Sequence, residues 1–160
     1  MKFKIITFLI IILYFSSSNS QNKDKEINNQ VKIVDGDTIY LSGKKYRLHG
    51  IDAPEINQKC EINNQTYKCG MKAKEFLEFL VKDEEIKCKQ KTIDRYKRIV
   101  AVCFVNDINI NQEMVRAGWA IAYRYYSKDF IEDEFFAENN RLGIWKGTFM
   151  MPNDWRRKNR

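Results

Sequence analysis

The sequence predicts an α+β fold of five strands and three helices in one domain, on three observations. Residues 31–51 are short runs rich in Val, Ile, Thr and Tyr, jointed by Gly, Ser and Asp, which is a strand–turn–strand pattern. Residues 70–82 change to helical spacing, with Ala73, Phe76, Leu77, Leu80 and Val81 on one stripe and Lys72, Lys74, Glu75 and Glu78 opposite. Two more apolar runs, 84–90 and 99–105, read as strands and are followed by segments with helix-start and helix-stop residues. A length of 160 residues suits one domain, and 44% hydrophobic residues suffice for a core.

In chain order, the first three strands are 31–35, 38–41 and 46–51, with Ser42-Gly43-Lys44-Lys45 as the turn before the third. His49, the only histidine, shares a strand face with Arg47 and reads as a partly exposed strand residue rather than a base. Residues 57–68, rich in Asn, Gln and Lys, read as a surface loop. The helix at 70–82 turns its apolar stripe to the core. In 84–90, Ile86 and Cys88 alternate with Lys87 and Lys89, and 99–105 (IVAVCFV) is apolar on both faces, which predicts a central strand. Residues 91–98 form a basic hairpin loop between them. A second helix spans 109–117, with an Asn at its start and Gly118 as its stop. A third runs from Ser127 to about Leu142, with Ile131, Phe135 and Leu142 inward and Gly143 ending it. Ile144-Trp145 then serves as a hydrophobic anchor.

The chemistry gathers in residues 31–55. Asp35, Asp37, Asp52 and Glu55 sit at strand ends around Arg47, which lies within a strand. Such oxygens suit a hard cation: Asp37 and Asp52 offer carboxylates, and Pro54, which biases Ala53 toward extended backbone, turns the Ala53 carbonyl the same way. Glu55 is then placed to orient or deprotonate a water. Arg47 offers a planar fork that fits phosphate. The same acids also suit turn formation alone.

Several separated motifs, in order, give the chain a family resemblance. Asp35-Gly36-Asp37-Thr38, Arg47-Leu48, Gly50-Ile51-Asp52-Ala53-Pro54-Glu55, Asp94-Arg95-Tyr96-Lys97-Arg98, the run 118–125 and Leu142-Gly143-Ile144-Trp145 together resemble the staphylococcal nuclease (thermonuclease) family over residues 31–146. The resemblance implies a five-stranded OB-fold β-barrel and a Ca²⁺-dependent phosphodiesterase acting on DNA and RNA. It implies Asp37 and Asp52 as metal ligands, Glu55 as the water-activating acid, and Arg47 and Arg98 as the phosphate arginines. Asp35 fits as a support for metal-bound waters. Arg95, Tyr96, Tyr123 and Tyr125 resemble substrate contacts, while Trp119 and Ile121 read as packing. Where the family commonly has Gly before the second arginine, this chain has Lys97. The competing class is a non-catalytic OB-fold module that holds nucleic acid without cutting it; retention of all five charged residues speaks against it.

Composition adds the setting. A net charge of +7 suits a polyanionic partner. Met1-Lys2-Phe3-Lys4, the apolar run 5–15 and the small residues 16–20 have the order of a secretory signal peptide cut after Ser20. The apolar run is short for a membrane span, so no stable membrane association is expected after cleavage, and a monomer is expected. Residues 21–30 read as a polar leader. In an exported chain, Cys60, Cys69, Cys88 and Cys103 suggest two disulfides with three possible pairings. Order and predicted structure favour Cys60–Cys69 and Cys88–Cys103, the latter across a hairpin. No Cys-x-x-Cys occurs, and a single His disfavours zinc. Residues 147–160 read as a basic tail, disordered or adding non-specific attraction to nucleic acid.

Overall fold

The computed structural model describes residues 31–159. The signal peptide and leader read at 1–30 lie outside the described residues, as does Arg160. The architecture is a curled half-barrel sheet with helices against it, the α+β arrangement expected of the OB-fold. In chain order it comprises β1 (Lys32–Ile33), β2 (Thr38–Leu41), β3 (Lys44–Leu48), β4 (Ile51–Asp52), β5 (Cys60–Ile62), β6 (Gln65–Tyr67), α1 (Cys69–Leu80), β7 (Ile86–Ile93), β8 (Ile99–Val105), β9 (Ile108–Asn109), α2 (Ile110–Arg116), β10 (Ile121–Ala122), α3 (Ile131–Asn139), a 3-10 turn at Gly143–Lys146 and α4 (Pro152–Lys158).

The main sheet runs β1-β2-β3-β8-β7, with β9 on β8. β3 and β8 pair in parallel and the other pairs are antiparallel. β8 is therefore central, as its two apolar faces require: Ala101, Val102, Cys103 and Val105 are all buried. Ile39, Leu48, Ala73, Leu77, Ile110, Met114 and Val115 complete the core between sheet and helices. Removing such side chains from water is the main favourable term for the fold, about 1.5–3 kcal/mol for each large aliphatic. A smaller cluster of Cys60, Cys69, Ile121 and Ile144 lies under the β5–β6 hairpin, with Trp145 and Phe149 edge to face beside it.

Both disulfides form as the favoured pairing has them, Cys60–Cys69 and Cys88–Cys103. The second joins directly opposed residues of β7 and β8. The first clasps the β5–β6 hairpin to the start of α1. α2 begins where the sequence placed its cap: the Asn109 side chain accepts from the Asn111 and Gln112 amides. Gly118 ends it with φ +75°, and a Cβ there would come within 2.3 Å of the Leu142 carbonyl oxygen.

Five expectations need correction. The third strand, expected over 46–51, ends at Leu48 and resumes as β4 after the turn at Gly50, and the loop expected at 91–98 opens only after Ile93, where β7 ends. Residues 57–68 are not a plain loop: β5 and β6 form a hairpin whose turn residues Asn63 and Asn64 both take positive φ, as a type I′ turn requires. The third helix is shorter than 127–142 and rotated: Phe130 is buried and Phe135 exposed, while Asp133 and Glu134 face inward. Both acids are satisfied there, Asp133 by Gln112 and Arg116, and Glu134 by the Ala122 amide and Arg124. An apolar count cannot foresee acids buried with their partners. Residues 152–158, read as part of a tail, form α4. Pro152 at its first position supplies a preset φ where no amide hydrogen is needed.

Candidate active site

The site forms where β2, β3 and β4 end. β2 and β3 pair with Thr38 opposite Arg47, so the Asp37 segment lies beside the Arg47 side chain. After Leu48 the chain turns at Gly50 and returns as β4, which pairs with β10 and brings Asp52 back to the same place. The segment after Asp52 leans on the start of α1. A Cβ at Gly70 would fall 1.8 Å from the Glu55 carbonyl oxygen, so only glycine permits this approach. Gln58, fully buried, accepts from the Glu55 amide at 3.2 Å and donates to the Met150 carbonyl at 2.6 Å.

Arg47 bridges two buried acids. Its Nη1 pairs with Asp37 Oδ1, and its Nη2 donates to Asp52 Oδ1 at 2.8 Å and to the Ile51 carbonyl at 3.3 Å. Asp37 is fixed further by Thr38 Oγ1, at 3.0 Å from Oδ1, and by the Ala53 amide, at 3.0 Å from Oδ2. Asp35 Oδ1 accepts from the Asp37 amide at 3.1 Å. Burial pushes the Asp35 carboxyl above the ordinary carboxylate range, against the charges of Arg47 and Arg98 and hydrogen bonds from Thr38.

A second arginine, from α4, enters this group. Arg156 Nη1 donates to Asp52 Oδ1 and to Glu55 Oε1, both at 2.9 Å, and its Nη2 donates to Asp52 Oδ2 at 2.9 Å. Although burial disfavours its charge, the two carboxylates hold Arg156 protonated more firmly than an ordinary arginine. The sequence reading did not assign this residue. Its only local signal was the helix-start proline, and the contact spans 104 residues.

The structure thus places Asp37, Arg47, Asp52 and Glu55 in one connected set, with Asp35 adjoining through the Asp37 amide. Arg98 is held apart from these acids by its own loop. Its Nε donates to Asp94 Oδ2 at 2.7 Å and its amide to Asp94 Oδ1 at 2.9 Å, although its charge reaches Asp35. Lys97, where the family commonly has Gly, has φ +61°, so the loop keeps the left-handed turn at some cost in backbone energy. Arg95 stacks on Tyr96 at 4.8 Å and donates to its hydroxyl at 2.7 Å. Arg98 lies over the same ring at 5.5 Å.

The Tyr123 amide donates to the Gly50 carbonyl at 2.8 Å, which sets its ring beside the acids. Burial, with Asp52 and Tyr126 nearby, raises its hydroxyl above the usual tyrosine value in spite of Arg156 and Arg47. Tyr125 and Tyr126, both exposed, stand edge to face at 4.9 Å, and Tyr126 packs on Tyr123 at 5.2 Å. Tyr126 therefore joins an aromatic rim that the sequence reading limited to Tyr123 and Tyr125. Burial lowers the His49 imidazole below its ordinary value, with the charge of Lys91 and against that of Asp129.

No three acidic, His or Cys side chains close a metal cage among the described residues. Instead the acids converge on guanidinium groups. Asp37 and Asp52 touch one guanidinium from two sides, so their oxygens frame a space already suited to positive charge. The Ala53 peptide adjoins them through its amide. As donors, such carboxylate oxygens are of the kind that a hard divalent cation takes.

Comparison with known proteins adds a family. The model for staphylococcal nuclease homologues matches residues 45–147. A protein of Haemophilus influenzae described as an uncharacterized endonuclease is 34% identical over 156 residues, covering 92% of this chain and 83% of its own length. A micrococcal nuclease of Shigella flexneri is 34% identical over 145 residues, covering 79% of this chain and 78% of its own. The succinoglycan biosynthesis protein ExoI of Rhizobium meliloti is 32% identical over 124 residues, covering 75% of this chain and 65% of its own. A family model spanning most of the fold, above a sheet that assembles the acids and arginine at its strand ends, shows that the chain belongs to the staphylococcal nuclease family of phosphodiester-hydrolysing enzymes.

Proposed function

We propose that this nuclease is exported, acts as a monomer, depends on Ca²⁺, and cleaves DNA and RNA at the 5′ side of the phosphate to leave 3′-phosphate ends. The observation that carries the reading is the bridge of Arg47 between Asp37 and Asp52, with Glu55 adjoining through Arg156. The order of basic, apolar and small residues in 1–20 supports export.

A phosphodiester resists attack because its oxygens are negative, and the transition state adds charge to them and to the leaving oxygen. Held by Asp37 and Asp52 beside Ala53, Ca²⁺ would supply positive charge and a place for water. Glu55 accepts a proton from the attacking water as its oxygen bonds to phosphorus. The bond from phosphorus to the 5′ oxygen breaks, and that oxygen leaves as a hydroxyl by taking a proton from solvent water, while the attacking water's proton stays on Glu55. Arg47 donates to the phosphoryl oxygens from the strand side, and Arg98 does so from the β7–β8 loop after releasing Asp94. Asp35 supports the water shell. Arg95, Tyr96, Tyr123 and Tyr125 hold the flanking phosphates and bases, since any base can stack on an aromatic ring.

The test is digestion of single-stranded DNA and RNA by the purified protein, with Ca²⁺ and with chelator, followed by end-group analysis. Arg47→Ala and Arg98→Ala should each lose about a hundredfold or more in rate while circular dichroism stays native. If both variants cleave like the parent, these residues are not the phosphate arginines.

A further inference from the structure

We infer that Arg156 is an internal counter-ion that sets the metal affinity of the site, occupying carboxylate oxygens that a divalent cation would use. This rests on the metal reading proposed above. Asp52 is wholly buried, so water cannot solvate its charge, and a buried carboxylate needs a positive partner. Arg156 meets that need through both Asp52 oxygens while also holding Glu55 Oε1. With Arg47 added, Asp52 Oδ1 already accepts two guanidinium hydrogen bonds.

Occupancy governs the response of this set to a divalent ion. Both Asp52 oxygens and Glu55 Oε1 already accept guanidinium hydrogen bonds, so an ion that takes those oxygens displaces a guanidinium. Arg47 is built into β3, is the more buried of the two, and also donates to the Ile51 carbonyl. Arg156 is more exposed and sits on the short helix α4. The connection before α4 is tied at the Thr148–Glu61 backbone pair and at Met150, and Pro152 at the first position of the helix is buried, so the helix stays seated while the Arg156 side chain withdraws. Arg156 is the group that yields. A site closed by its own arginine shows a metal affinity lowered by the open fraction.

The experiment is calorimetric titration of Ca²⁺, without nucleic acid, into metal-free parent, Arg156→Gln, Arg156→Lys and Asp37→Asn proteins, each checked for folding by circular dichroism. Arg156→Gln should bind about tenfold more tightly than the parent, with Arg156→Lys between them. Asp37→Asn should lose binding. Parent binding that Arg156→Gln leaves equal or weakens overturns the counter-ion role and leaves the metal reading standing. Absence of Ca²⁺ uptake by both parent and Arg156→Gln overturns the metal reading and this inference with it.

Discussion

Asp94 shows how one carboxylate shapes a functional loop. Its Oδ1 accepts the Tyr96 and Arg98 amides at 2.9 Å, and its Oδ2 holds the Arg98 side chain at 2.7 Å. Burial opposes its charge, but the Arg98 backbone and side-chain hydrogen bonds win and hold the carboxyl below its ordinary value. A depressed acid contributes stability that is complete above its unfolded pKa and is lost as pH falls through the folded one. The parent should therefore lose stability below about pH 4 through this group. Asp94→Asn keeps an acceptor for the loop amides and lacks the charge. Thermal melts of the two proteins across that acid range should converge as pH falls, and parallel curves would show that Asp94 does not couple to folding. The basic loop was legible in the sequence, as was the presence of Arg98. The hold of Asp94 on Arg98 was not, because a motif fixes which residues are near and not which of them pair.

Elements are joined here by buried polar side chains as much as by apolar faces. Asn111 of α2 is fully buried; its Nδ2 donates to the carbonyls of His49 at 2.9 Å and Ala101 at 3.1 Å, and its Oδ1 accepts the Cys103 amide at 3.0 Å. It thereby ties α2 to β8 and to the turn that leads from Arg47 to Asp52. Asn111→Ala takes their side-chain partner from the His49 carbonyl and the Cys103 amide, while the Ala101 carbonyl keeps the His49 amide, and should cost about 3 kcal/mol in urea denaturation. A loss under about 1 kcal/mol would mean that water replaces the side chain. Period and turn signals gave β2, β8, α1 and α2 to within a few residues. They failed for α3, where Asp133 and Glu134 are buried with Gln112, Arg116, Arg124 and the Ala122 amide. A polar residue looks exposed in a pattern until its partners are known.

At the scale of the molecule, the two disulfides have separate tasks. Cys88–Cys103 crosses a ladder already paired on both sides, whereas Cys60–Cys69 clasps a hairpin to the helix start that backs Glu55. Each closes a loop worth about 3 kcal/mol in the chain-entropy model. Paired Cys→Ser replacement at 88 and 103 should lower stability in guanidinium titrations with little change in digestion rate at saturating Ca²⁺. Replacement at 60 and 69 should lower both, since Gly70 and the Glu55 backbone then lose their clamp. Equal digestion rates for the two double variants would remove the Cys60–Cys69 clasp from any role at the site.

The sequence by itself determined β2, β8, α1 and α2, the favoured disulfide pairing and the short stretch holding Asp35, Asp37, Arg47, Asp52 and Glu55. These come from local periodicity, turn residues and spacing, which act over short stretches of chain. Only the tertiary structure decided that β3 and β8 pair in parallel and that the end of the chain returns as α4 to set Arg156 on Asp52 and Glu55. That contact depends on the path of the chain across a separation of 104 residues, and no local preference of Trp155, Arg156 or Arg157 carries that path. It adds a second guanidinium to a buried carboxylate that Arg47 already partners, an arrangement that depends on the fold burying Asp52.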